Sequence, residues 1–215
     1  MHSNPPSPPL RARHRVSGLN STFPVELPDF ASYIERSRVM ISQARIGDDP
    51  VQLEKVVDGN LPFELKPSAG SSAGQHQKYR RGILLIHGLT DSPYSMRYLA
   101  AFFQEQGFSV MAILLPGHGT RPGDLLEVTW QEWDKAVSYG IEMLSSEVDE
   151  IYIGGLSAGA ALSILHSQRD DRIRGQFLFS PALEVSRKAA YANFHKLYSW
   201  LIPSAKWVNI MPDRD

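Results

Sequence analysis

Residues 150–167 read EIYIGGLSAGAALSILHS. A short apolar run, Ile151 to Ile153, meets the pentapeptide Gly155-Leu156-Ser157-Ala158-Gly159, and a helix is predicted over Ala158 to Ser167. The pattern is G-x-S-x-G, which suits a sharp strand-to-helix turn with the serine at its apex. A strained backbone there projects the hydroxyl beyond the end of a sheet. Side chains two residues to either side would collide, so Gly155 and Gly159 fit. The helix that follows aims its N-terminus at the serine, and the backbone N–H of Ala158 can donate to a developing oxyanion. Ala160 and Ala161 are small, as close helix–strand packing needs. A plain glycine-rich turn holding a phosphate is the competing reading, but no Lys-Ser/Thr pair follows as in a P-loop. Ser157 is therefore the candidate nucleophile.

Working outward, apolar runs alternate with amphipathic ones. Strands are predicted at 61–66 (LPFELK), Ile83 to Ile86, Phe108 to Leu115, Glu150 to Ile153 and Gln176 to Phe179. Between them lie a helix from Ser92 to about Gln106, with Met96, Leu99, Ala100, Phe102 and Phe103 inward, and a long helix capped by Thr129, Trp130 to about Ser146. Trp130 and Trp133 fall at i and i+3 and read as core and helix-face aromatics. An earlier helix spans 29–45 and is broken by Asp48, Asp49 and Pro50. Residues 67–80 read as a Gly/Ser loop, 187–202 as a helix and 206–215 as a loop. The alternation implies a mostly parallel α/β sheet with helices on both faces.

His87-Gly88-Leu89-Thr90 closes the strand at 83–86. An acyl-transfer site needs two backbone donors for the oxyanion. Ala158 supplies one and Leu89 can supply the other. Gly88 lets the backbone come close, and His87 reads as a residue that orients the loop by hydrogen bonds rather than as the catalytic base. Pro116-Gly117-His118-Gly119 reads as a structural turn, with His118 a loop histidine.

RGILLIHGLTDSPYSMRYLA, LLPGHGT, GGLSAGAAL and FLFSPAL, in that order over about residues 80–183, resemble the α/β-hydrolase superfamily. More narrowly they are similar to bacterial carboxylesterases and monoacylglycerol lipases, a group that shades into serine aminopeptidases. The resemblance implies an α/β-hydrolase fold, an acyl-enzyme at Ser157, and an oxyanion hole from Leu89 and Ala158. It implies a small ester substrate, acyl- or lipid-like, and no cofactor. Peptidase and thioesterase chemistry on the same fold stays open, as does a truncated, non-catalytic protein.

Such a triad runs Ser, then Asp or Glu, then His. After Ser157 come only His166 and His195. His166 lies about 13 Å along the helix from the serine, and His195 falls where such enzymes insert a cap. Asp170 and Asp171 sit at the wrong end of the sheet; Asp213 and Asp215 precede any further strand. The expected organisation is a disordered Pro/Arg-rich leader (1–28) and a partial hydrolase domain (29–215), with 184–215 the start of a cap and the C-terminal strands missing. The cap's aromatics line an acyl pocket or simply pack. Either the acid and base lie beyond residue 215, or the chain is a natural product that is not a working hydrolase.

Composition closes off other classes. The net charge of −1 gives no basic stripe for nucleic acid. With no cysteine, disulfides and thiolate metal sites are excluded. No H-E-x-x-H or GxGxxG motif points to a metal or a dinucleotide. Arg11, Arg13 and Arg15 are followed by no apolar signal region, and no membrane span is predicted; a cytoplasmic protein is expected. PPSPP near the N-terminus reads as tail or as a polyproline ligand. Nothing in the sequence bears on oligomeric state.

Overall fold

The computed structural model describes residues 15–19, 29–45, 50–67, 78–126 and 128–183. Ile83-Leu84-Leu85-Ile86 has no polar side chain for solvent to reach, and all four are fully buried. They belong to strand β2 (Tyr79–Ile86). Alternate side chains of a strand face opposite ways. Ile83 and Leu85 pack with Met96, Ala100 and Phe103, whereas Leu84 and Ile86 pack with Val137, Ile141 and Leu144. Burial on both faces is what a wholly apolar parallel strand requires.

Four more strands complete the described sheet: β1 (Phe63–Leu65), β3 (Phe108–Ile113), β4 (Val148–Leu156) and β5 (Ile173–Phe179). Their order is β1-β3-β2-β4-β5, with β1 antiparallel to β3 and every other pairing parallel. The helices are α1 (Phe30–Ala44), α2 (Pro50–Asn60), α3 (Arg97–Glu105), α4 (Trp130–Glu147) and α5 (Ala158–Ser167). α3 covers one face; α1, α4 and α5 contribute to the core on the other. From β2 the chain passes to β3 on one side and then back across to β4 on the other. The carboxyl ends of β2 and β4 therefore flank a topological switch point, where open α/β sheets place their ligands.

Several local readings need correction. α1 ends at Ala44, before the expected break, but α2 then fills a stretch for which the sequence predicts no element. Proline suits the first position of a helix, and Leu53, Val57 and the following Leu61 pack with Ile41 and Leu114. β2 begins at Tyr79, inside the expected loop, because Tyr79 pairs with Val148 of a longer β4. β5 likewise begins at Ile173. Ser92 precedes a 3-10 turn, Pro93–Met96, and its hydroxyl donates to Gly59 O at 3.2 Å. Phe102 is 53% exposed rather than inward, and Trp130 is 52% exposed, whereas Phe103 and Trp133 reach the core. Thr129 does precede α4, and the Glu132 carboxylate accepts from both its N–H (2.7 Å) and its hydroxyl (3.0 Å).

Within the expected leader, residues 15–19 have a defined place. The Ser17 N–H and hydroxyl donate to Asp124 at 2.6 and 2.7 Å. Asp124 is buried, and it also accepts from Thr120 Oγ1 and the Arg121 N–H. The PPSPP run, His195, and the segments at 187–202 and 206–215 lie outside the described residues.

Candidate active site

Ser157 joins β4 to α5 with φ 52° and ψ −110°. A non-glycine residue at that combination holds strain of about 1–3 kcal/mol, which surrounding structure must enforce. Three hydrogen bonds do so. The Ser157 N–H donates to Phe179 O at 2.9 Å, while Ser157 O accepts from the Ala161 N–H at 3.1 Å and the Ala182 N–H at 3.2 Å.

The flanking glycines are needed for space. A Cβ on Gly155 would lie 2.3 Å from the Gly159 carbonyl carbon, and one on Gly159 would lie 2.2 Å from Ile86 O. The start of α5 thus presses directly on β4 and on the end of β2. Gly88 differs: a Cβ there would meet Leu156 O at 3.5 Å and Ser157 Cβ at 3.6 Å, which is ordinary contact. The backbone at Gly88 does come close to the serine turn, but space alone does not demand a glycine there. The same distances bring the loop after β2 against the serine turn. Ala158 is the first residue of α5, so its N–H has no helical partner. Among the described residues, no acceptor takes the Leu89 N–H either.

His87 is fully buried at the end of β2. Its Nε2 accepts from the Leu115 N–H at 3.0 Å, so the ring proton sits on Nδ1, which donates to Gly88 O at 2.8 Å. Burial, reinforced by the nearby His118, pushes its pKa down to about 3, and the ring is neutral. Both ring nitrogens of His87 are thus taken up by backbone groups, one of the loop after β2 and one of the chain after β3.

His118, expected to be only a loop histidine, is buried and spans two loops. Its Nε2 lies 2.7 Å from Leu89 O, and its Nδ1 lies 3.2 Å from Leu115 O and 3.1 Å from Pro116 O. The ring meets His87 edge to face at 4.7 Å. Beside it, a cleft of about 290 Å³ opens between Leu89, Thr90, His118, Arg121 and Leu125. His166 sits at the far end of α5, with Nε2 3.0 Å from Asp134 Oδ1. Burial lowers its pKa, with the Asp134 carboxylate opposing. Asp170 is paired with Arg172 at 2.8 Å, on the loop before β5. Neither group is brought to Ser157. Among the described residues no cluster suits a metal ion, and no helix is long and apolar enough to cross a membrane.

Known proteins resemble this chain in sequence and in fold. A family model described as "Serine aminopeptidase, S33" matches residues 77–213. The thermostable monoacylglycerol lipase of Bacillus sp. (strain H-257) is 33% identical over 109 residues, covering 51% of this chain and 44% of that protein. The carboxylesterase of Bacillus subtilis (strain 168) is 34% identical over 85 residues, covering 39% and 35% respectively. This chain therefore spans less than half the length of either. Among solved structures, one from work on LipS and LipT, two metagenome-derived lipolytic enzymes, superposes with a TM-score of 0.52 at 30% identity, covering 61% of this chain and 50% of that one. The Paleococcus ferrophilus monoacylglycerol lipase gives 0.50 at 26% identity, covering 66% and 51%.

Proposed function

The chain belongs to the serine aminopeptidase S33 family, with an α/β-hydrolase fold, and from that membership and the strained turn at Ser157 we infer a serine hydrolase of carboxylic esters. The observation that carries the reading is the positive φ of Ser157, held between two glycines that backbone contact makes obligatory. Strain of this kind is retained where it serves chemistry.

Ser157 Oγ attacks the ester carbonyl carbon as its proton passes to a base. The carbonyl π pair moves to oxygen, and the N–H groups of Leu89 and Ala158 stabilise that charge. Collapse expels the alcohol, which takes the proton back from the base, and leaves the acyl group on Oγ. Water, deprotonated by the same base, attacks the acyl carbon and restores Ser157. The cleft beside Leu89 offers space for one arm of the substrate. Each described histidine near or on these elements is engaged elsewhere: His87 with Gly88 and Leu115, His118 with Leu89, His166 beside Asp134. The base and its acid partner are accordingly drawn from outside the described residues. No resident metal or cofactor enters this scheme.

The test is turnover of p-nitrophenyl acetate and octanoate by the full-length protein, with a p-nitroanilide as the peptidase control. Ser157→Ala is expected to lower kcat on both esters by at least about a thousandfold. Ester activity that survives in Ser157→Ala would overturn the mechanism; preference for the anilide would move the reading to a peptidase.

A further inference from the structure

We propose that His118 is a positioning residue for the oxyanion hole, clamping the Leu89 peptide so that its N–H faces the carbonyl oxygen of the substrate. The proposal rests on the reading of Leu89 and Ser157 given above.

The N–H of Leu89 shares a peptide plane with the carbonyl of Gly88, and in a trans peptide the two point in opposite directions. His87 Nδ1 holds that carbonyl at 2.8 Å. One plane fixed at one end still leaves the loop free to turn about the Leu89 Cα, because Leu89 is 46% exposed and has little packing to hold it. The next plane carries Leu89 O, and His118 Nε2 lies 2.7 Å from it. With both planes held, the backbone angles of Leu89 are set and the direction of its N–H with them.

The proton on His118 can be assigned. Leu115 O, near Nδ1, already accepts the His118 backbone N–H at 3.2 Å, and Pro116 O accepts Trp133 Nε1–H at 3.0 Å. A carbonyl oxygen can only accept, so the 2.7 Å contact with Leu89 O requires a proton on Nε2, which donates it. The ring itself is wedged between His87 at 4.7 Å and Trp133 at 5.9 Å. Through it the end of β3 and the long helix α4 brace a loop that belongs to β2. Pre-organised donors are worth more than donors that must reorient during reaction.

The experiment compares His118→Phe, His118→Asn and His118→Gln in the full-length enzyme, with Ser157→Ala alongside. Phenylalanine keeps the ring contacts and loses both nitrogens. Glutamine places an N–H near the position of Nε2; asparagine is too short to do so. Removal of an oxyanion donor lowers kcat by about a hundred- to a thousandfold, and loss of its positioning is expected to lower kcat by about ten- to a hundredfold in Phe and Asn, with KM within about twofold. Gln is expected to recover most of the loss. A second reading needs no turnover: the carbonyl ¹³C resonance of Leu89 should shift in Phe and Asn and stay near its original position in Gln. If kcat in all three variants stays near wild type while Ser157→Ala is inactive, the positioning role is overturned and the hydrolase reading stands. Losses that follow melting temperature, with no difference between Gln and Asn, or an unmoved Leu89 resonance, overturn it equally. Activity in Ser157→Ala would instead remove the mechanism on which the role depends.

Discussion

The turn after β2 and the turn after β4 are neighbours with the same proposed task, each presenting one backbone N–H to one oxygen, and they are held in place by opposite means. The turn at Ser157 is held by its own glycines, against which α5 and β2 close to within backbone contact. The turn at Leu89 has no such crowding. It is held by two imidazole rings, one from its own strand and one from a loop 29 residues further along. A turn built by close approach is intolerant of any added atom. One built by side-chain hydrogen bonds tolerates added atoms and is sensitive to the state of its donors.

The largest expected effect breaks the first turn. Gly159→Ala would place a methyl group 2.2 Å from Ile86 O and 2.6 Å from His87 O, both backbone atoms that cannot swing aside. A loss of at least about 3 kcal/mol is expected, read by urea denaturation; a variant with wild-type stability would mean that α5 is not seated so tightly.

An intermediate effect tests the second turn through pH. The His87 pKa is pushed down to about 3 when folded, against 6.5 when unfolded. Below pH 6.5 the unfolded chain therefore binds a proton that the folded chain refuses. The contribution of this group is complete above pH 6.5 and is lost as pH falls toward 3, a decrease on the order of a few kcal/mol. His87→Gln, whose side-chain oxygen can still accept from the Leu115 N–H, should flatten that part of the pH–stability curve. An unchanged slope would show that His87 is not held neutral in the fold.

The smallest effect sharpens the contrast. Gly88→Ala meets nothing closer than 3.5 Å, so its stability should change by less than about 1 kcal/mol. Its methyl group would nonetheless sit 3.6 Å from Ser157 Cβ, and an activity loss out of proportion to stability is expected. A destabilisation matching that of Gly159→Ala would erase the distinction between the two turns.

The two turns also differ in how they were legible. Gly155-Leu156-Ser157-Ala158-Gly159 carries its own geometry, since every residue that shapes it lies within the pentapeptide or the strand and helix on either side. The same holds for β2, where four apolar residues in succession announce a strand covered on both faces. His118 could not be assigned in this way. In sequence it belongs to a Pro-Gly turn, and its contact with Leu89 exists only because β3 lies beside β2 in the sheet. A buried histidine with both ring nitrogens facing carbonyl oxygens is a signal, but one that appears only in three dimensions. α2 was missed because Asp48-Asp49-Pro50 marks a helix start as well as it marks a helix end, and only its packing on Ile41 and Leu114 decides between them.

The sequence by itself therefore determined the layered α/β plan, the strained turn and the serine at its apex, because hydrophobic period and glycine spacing act over a few residues. Tertiary structure alone decided which loops meet at the carboxyl ends of β2 and β4, that His87 is neutral and His118 grips Leu89, and that Ser17 is tied to Asp124. Those outcomes depend on burial and on hydrogen bonds between segments 28 to 107 residues apart, which no local pattern encodes.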